Sequence, residues 1–403
     1  MEKIKNTYDP QIPGALDGVN VLDLTGVIAG SYCTRLMADL GANVLKIEPP
    51  DGEIMRDIAP MRGSTSTVFS ALNAGKKCIS INLKKSDACS IVYQLIKKYD
   101  VIVENFSPGV MARLNIDYET LKRYNKNIVM CSISGYGQSG PGAKRPAYAP
   151  IVQAMTGFEM VTLDAQNALE RPLNMGLPVG DTTAALQAFG GLTAALYYRE
   201  KYGKGQYIDI AMSDSILATM HRDFQAAFHD DPIERRYGPT KTKDGFIIIM
   251  PLSQRHYTNL MECIGQSALI ADPRFADTRS RLDNYNELLR LAEVWAKDLL
   301  SAAALVELEK LHVPCAPYRS LADAATDPQL EFRKMITEVI DEAGPLEVVN
   351  SPFSFSETQA AVRSRVATLA EDTYNILAQE LEFPDEKIRS LEEAKIIYCG
   401  SKK

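Results

Sequence analysis

The sequence is poor in histidine and has no closely paired cysteines. Its 403 residues include four histidines, His221, His229, His256 and His312. None stands at metal-ligand spacing from a cysteine or another histidine, and HExxH is absent, so no metal site is expected. The seven cysteines, at positions 33, 78, 89, 131, 263, 315 and 399, contain no CxxC. An odd count behind an N-terminus unlike a secretion signal or transit peptide predicts reduced thiols and a cytoplasmic protein. Apolar stretches reach about ten residues and are interrupted, against roughly 20 for a bilayer span, so no membrane partner is expected. A net charge of −7 argues against a general nucleic-acid binder, which needs a basic surface, although local basic clusters could still hold a small anion. Neither GxxxxGK[ST] nor GxSxG occurs, which removes support for a P-loop NTPase or a serine hydrolase. The turn after the first predicted strand, residues 25–30 (TGVIAG), is not GxGxxG, so a nicotinamide dehydrogenase lacks its fingerprint there.

What is present alternates between strand and helix. Apolar strand patterns cover 19–24, 43–48, 79–83, 101–104 and 128–133, separated by helix-length segments such as 31–40 and 86–99. Ser86 or Asp87 stands where the second of those helices needs a cap. This texture predicts an α/β fold with a parallel sheet covered on both faces. Residues 182–201 form the most apolar helix, with Asp181 at the cap position and Gly203 and Gly205 ending it, and 207–212 return as a strand. Helical patterns follow at 215–228 and through 255–312, with a buried strand at 246–250. Strands at 336–340 and 346–349 and a last helix at about 371–381 complete the chain. The expected division is a large domain over 1–222, a small α+β domain over 223–330 and a return to the large domain over 331–403.

Several segments carry possible chemistry. The 25–30 turn opens a helix, whose free N–H groups suit an anion, although most such turns bind nothing. Residues 104–109 (ENFSPG) follow a strand end, the edge that faces the ligand crevice in open α/β sheets. There Asn105 offers an amide and Phe106 a stacking face, with Arg113 a phosphate partner beyond. A solvated loop is the plain alternative. Asp181 is an ordinary helix cap by residue type. A carboxylate at a helix N-terminus is also expected to stay ionised and available as a nucleophile.

The order of these pieces resembles the class III CoA-transferase family, also called the CaiB/BaiF family. The matching segments are VLDLTGVIAG (21–30), GANVLKIEPP (41–50), LNAGKKCISINL (72–83), ENFSPG (104–109), SGYGQSGP (134–141), GDTTAAL (180–186) and YGKGQYIDIAMSDS (202–215). DPRF (272–275), VPCAP (313–317) and DPQL (327–330) follow, so the resemblance spans nearly the whole chain. It implies a Rossmann-like large domain, a smaller α+β domain and a homodimer of interlocked, ring-like protomers. It implies an enzyme that moves coenzyme A from an acyl-CoA to a carboxylic acid through an aspartyl anhydride and an aspartyl-CoA thioester. CoA is then a substrate, and no permanently bound cofactor is expected.

Carried over by position, Asp181 matches the nucleophile. Val27 and Ala29 match positions against CoA, and Asn105, Phe106 and Arg113 match positions holding adenosine and phosphates. Ile81 and Lys84 fall beside the adenine region, and Tyr136 and Gly137 in the loop approaching the thioester. Lys76 and Lys77 are further phosphate candidates, with a solvated face as the plain reading. Backbone N–H groups of the glycine-containing loops are the expected oxyanion donors. Arg235, Arg236 and Tyr237 are candidates for the acyl site.

There are departures from the formyl-CoA transferase branch. Ile28 stands for its glutamine, Pro49 for its arginine and Ser134 for its lysine, and the glycine-only flap is missing. Leu369-Ala370-Glu371-Asp372 replaces the family's LG(E/Q)H. A racemase branch of the same fold needs a histidine near Tyr148, and no histidine occurs before position 221. A non-catalytic CoA-binding protein is a further alternative, disfavoured by Asp181 itself.

Overall fold

The computed structural model describes residues 7–164, 170–229 and 238–400. The chain divides into two compact units, residues 1–221 with 329–403 and residues 222–328.

The first unit is built on a seven-stranded sheet. Its strands in chain order are β1 (Asn20–Asp23), β2 (Asn43–Glu48), β3 (Lys77–Ile81), β4 (Val101–Glu104), β5 (Val129–Ser134), β6 (Tyr207–Ala211) and β7 (Ile397–Tyr398). Across the sheet they run β7-β3-β2-β1-β4-β5-β6. All neighbours pair in parallel except β7, which joins β3 antiparallel. Without β7 this is the order of the doubly wound nucleotide-binding sheet, whose crevice opens where the winding reverses, between β1 and β4.

Side-chain alternation divides the core between two faces. Leu22, Leu45, Ile79, Ile102 and Met130 meet the helix Ala88–Ile96 and the C-terminal residues Ile376, Leu377 and Ile388. Val21, Val44, Val101, Val103, Val129 and Cys131 face the other way, against α1 (Ala29–Asp39) and α2 (Val179–Tyr202). The central strands read as unbroken apolar runs because both faces are covered.

The long helix α2 turns alanines and a glycine inward: Gly180, Ala184, Ala185, Ala188 and Ala195 are buried. Such small residues permit close approach to α1 and the sheet. Gly203, left-handed at φ 65°, ends the helix. A hairpin, Ile336–Asp341 with Gly344–Val349, pairs antiparallel in the same unit.

Three local expectations need correcting. The helix at Ala88–Ile96 starts from Asp87, but the Asp87 side chain makes no capping hydrogen bond. Residues 215–228 are not one helix but two short ones, Met212–Leu217 and His221–Ala226. The helical turn ending at Glu380 is not the last: Asp385–Glu393 follows and leads into β7.

The second unit has its own core. Thr240–Lys241, Phe246–Ile249 and Cys315–Pro317 form an antiparallel sheet. Helices Gln254–Cys263, Tyr285–Ala296 and Ser301–Lys310 pack on it through Tyr257, Leu260, Leu288 and Leu308, with Phe275 of the turn Pro273–Phe275 in the same core. Arg235, Arg236 and Tyr237 lie outside the described residues. Among the described residues no helix is long and apolar enough to cross a membrane.

Candidate active site

A cavity of about 150 Å³ opens at the carboxyl ends of β1, β4 and β5. Val27 and Ala29 line it from the turn after β1, Asn105 and Phe106 from the turn after β4, and Ser134 and Gly135 from the end of β5. Asp181 reaches it from α2, and Arg145, Ala147 and Tyr148 come from the loop before the helix Ala149–Met155.

The turn after β1 is fastened from below. Lys46 is buried in β2 and donates to the Thr25 carbonyl at 2.7 Å. It also pairs with Glu53 at 3.0 Å, and Glu53 Oε2 accepts the Val27 N–H at 2.7 Å. Asn105 locks the two turns together: its Oδ1 accepts the Gly26 N–H at 2.9 Å and its Nδ2 donates to the Gly26 carbonyl at 2.8 Å. These contacts hold Val27 at φ 60°. For a β-branched residue that conformation costs on the order of 1–3 kcal/mol and persists only where surroundings impose it.

Asp181 is not the cap of its helix. The helix begins at Val179, Pro178 occupies the cap position, and Asp181 lies in the first turn. Gly180 brings that turn against Ala149 and Ile216, where an added Cβ would sit 3.2 Å from the Ile216 side chain. The helix terminus does not hold the carboxylate low, as position alone predicts. Burial pushes Asp181 up to about 6, against the pull of a backbone hydrogen bond from Ala29. No cation contributes to its shift. The carboxylate is therefore ionised at neutral pH, yet more basic than an ordinary aspartate. That combination suits a nucleophile.

Val27, Ala29, Asn105 and Phe106 thus meet Asp181 in one cavity. Tyr136 and Gly137 sit in the turn after β5, Gly137 at φ 84°, and neither lines the cavity. Lys84 and Arg113 are exposed, Arg113 at the end of the short helix Val110–Arg113. Ile81 is 1% exposed: its side chain belongs to the core and its backbone sits in the sheet opposite Ile397, so it offers no surface to a ligand. Lys76 is not available for phosphate. It is buried and bound to Asp23, Asn73, Thr34 and the Ser31 carbonyl at 2.8–3.0 Å. Lys77 is exposed and pairs with Glu380 at 3.4 Å.

Three of the backbone donors expected for an oxyanion are already engaged. The N–H groups of Gly26 and Val27 serve Asn105 and Glu53, and that of Phe106 donates to Glu104 Oε2 at 2.7 Å. Burial raises Glu104 to about 7.

Sequence reading passed over Arg145 as a site residue and placed Tyr148 only as the position of an absent histidine. It also passed over a GxGxxG spacing at 135–140 (GYGQSG), after β5. No helix starts there, and the chain stays irregular until Ala149, so the phosphate-binding helix end of that fingerprint is missing. The Leu369–Asp372 stretch, given no role from sequence, clasps β3: Asp372 Oδ2 accepts the Cys78 N–H at 2.8 Å.

Turns bound together at the reversal point of a doubly wound sheet, around a basic aspartate, define an α/β enzyme acting on a ligand in that crevice. The chain belongs to CoA-transferase family III, whose profile matches residues 16–373. It is 32% identical to a succinyl-CoA:mesaconate CoA-transferase of Haloarcula hispanica, over 90% of this chain and 96% of that one. It is 35% identical to an acetyl-CoA:oxalate CoA-transferase of Acetobacter aceti, over 80% and 85%. A CaiB/BaiF family protein from Brucella suis superposes with a TM-score of 0.78 at 29% identity, over 91% of this chain and 99% of that one.

Proposed function

We propose that the protein transfers coenzyme A from an acyl-CoA to a small carboxylic acid, with Asp181 as nucleophile. The observation that carries this reading is a cation-free aspartate, raised to about 6, in the crevice of a family III fold. An Asp181 oxygen bonds to the thioester carbon, and the C–S bond breaks, giving a mixed anhydride and CoA thiolate. The thiolate attacks the aspartyl carbonyl and releases the donor acid, leaving an aspartyl-CoA thioester. The acceptor carboxylate repeats both steps in reverse. No step consumes water or a redox partner.

Val27, Ala29, Asn105 and Phe106 would face the reacting end of CoA. Arg113 and Lys84, both exposed, would meet its nucleotide phosphates. Tyr136 and Gly137 would contribute through their turn. Arg145 lines the cavity and has no ion-pair partner among the described residues. It would pair with a second carboxylate, and the two curated relatives above are named for mesaconate and oxalate. This favours a dicarboxylic acid as one of the pair. The racemase alternative places Tyr148 where a base is required, in the same cavity as Asp181. A phenol stands there in place of the imidazole that would take the proton.

A homodimer belongs to the same reading. The outer face of α2 exposes Leu186, Tyr197, Tyr198 and Tyr202, apolar surface that a second copy would cover.

The test is a panel of acyl-CoA donors against mono- and dicarboxylic acceptors, with mass spectrometry of the protein during turnover. CoA or an acyl group should be found on Asp181, and dicarboxylic acceptors should be preferred. Transfer with no adduct on Asp181, and none trapped by hydroxylamine, would refute the covalent route.

A further inference from the structure

The wall of the cavity holds one buried residue whose hydroxyl has nothing to bond to among the described residues. Ser134, the last residue of β5, is 8% exposed, and its Oγ has no hydrogen-bond partner among the described residues. Of the buried polar side-chain atoms without a partner among the described residues, it is the one whose residue lines this cavity. A hydroxyl left unpaired away from water destabilises a fold by about 1–3 kcal/mol, so its partner is missing rather than unneeded.

The nearby donors narrow the choice of partner. The Gly26, Val27 and Phe106 N–H groups are held inside the protein by Asn105, Glu53 and Glu104. The Ala29 N–H lies by the Asp181 carboxylate, whose pKa it pulls down. A thioester carbonyl attacked by Asp181 places negative charge on its oxygen, in a cavity of only about 150 Å³. That oxygen needs a donor already in place.

We infer that Ser134 is a catalytic residue, its Oγ–H donating to the acyl carbonyl oxygen as Asp181 adds to the carbon. The hydroxyl keeps its proton throughout, and no bond to Ser134 forms or breaks. This role rests on the covalent reading of Asp181 and adds to it the donor that the engaged backbone groups do not supply. Serine also suits a neutral acyl oxygen: it donates without placing a second fixed charge beside the nucleophile.

The test compares wild type with Ser134→Ala, using whichever donor and acceptor the wild type turns over. The variant should lose roughly 100-fold in kcat. Its KM for the acyl-CoA should stay within about threefold of wild type, since only the transition state loses a contact. Its thermal midpoint should be unchanged or higher, because an unpaired buried hydroxyl is removed. The burst of Asp181 acylation, trapped with hydroxylamine, should slow by the same factor as turnover.

A kcat within twofold of wild type would overturn the inference. So would a rise in KM alone, or a lowered thermal midpoint accompanying the activity loss, which marks a structural role. Absence of transfer in the wild type itself would remove the covalent reading, and this inference with it.

Discussion

Two aspartates lie on either side of the turn after β1, and burial drives both toward higher pKa. Asp23, beneath the turn, is fully buried. Its desolvation is outweighed by Lys76, 3.0 Å away, by Lys46, and by hydrogen bonds from Thr25 and Thr34, which hold it well below the usual carboxylate range. Asp181, above the turn, is only partly buried and has the Ala29 backbone as its helper, so burial wins and raises it to about 6. Cations separate the two. Where lysines reach a buried carboxylate it becomes a structural anchor, and where none does it stays more basic than an ordinary aspartate.

The same substitution at the two sites should give opposite results. Asp181→Asn keeps the shape and removes the proposed nucleophile, so transfer should fall by at least roughly 1000-fold while CoA still binds, by steady-state assay and calorimetry. Asp23→Asn leaves Lys76 buried against a neutral amide. Its urea unfolding free energy should drop by about 3–5 kcal/mol.

At pH 8, Asp181→Asn should instead be more stable than wild type by about 1–2 kcal/mol, reduced from the full shift because the side chain is partly exposed. The sign follows from the raised pKa. The native state favours the protonated acid, so stability supplied by Asp181 is present below about 4 and lost as pH rises through about 6. The gain should therefore vanish near pH 4. The smallest effect is a shape: kcat/KM for the acyl-CoA should rise about tenfold per pH unit up to about 6 and level off above it. A limb centred near 4 would put Asp181 back among ordinary aspartates.

The strands were legible because parallel, doubly covered strands are continuous apolar runs, and 101–104 and 43–48 coincide with β4 and β2. Asp181 was legible through its Gly-Asp setting and the family resemblance. Its protonation was not, because sequence shows the helix end but not the depth of the cavity. Lys76 misled for the opposite reason: a lysine beside another lysine reads as solvated, and only the fold reveals the four partners that fill its donors. Ser134 and Arg145 are ordinary residues in sequence. They gain meaning from convergence, when the end of β5 and the 143–148 loop arrive at one wall.

The antiparallel edge strand has a consequence for self-association. Ile397 pairs with Ile81 and Tyr398 with Ser80, so one flank of the sheet is covered by a strand of two residues. Whenever so short a strand frays, β3 offers a row of open amide and carbonyl groups to any neighbouring chain. A chain cut before position 397 keeps Asp181 and the cavity around it, yet carries a sticky border.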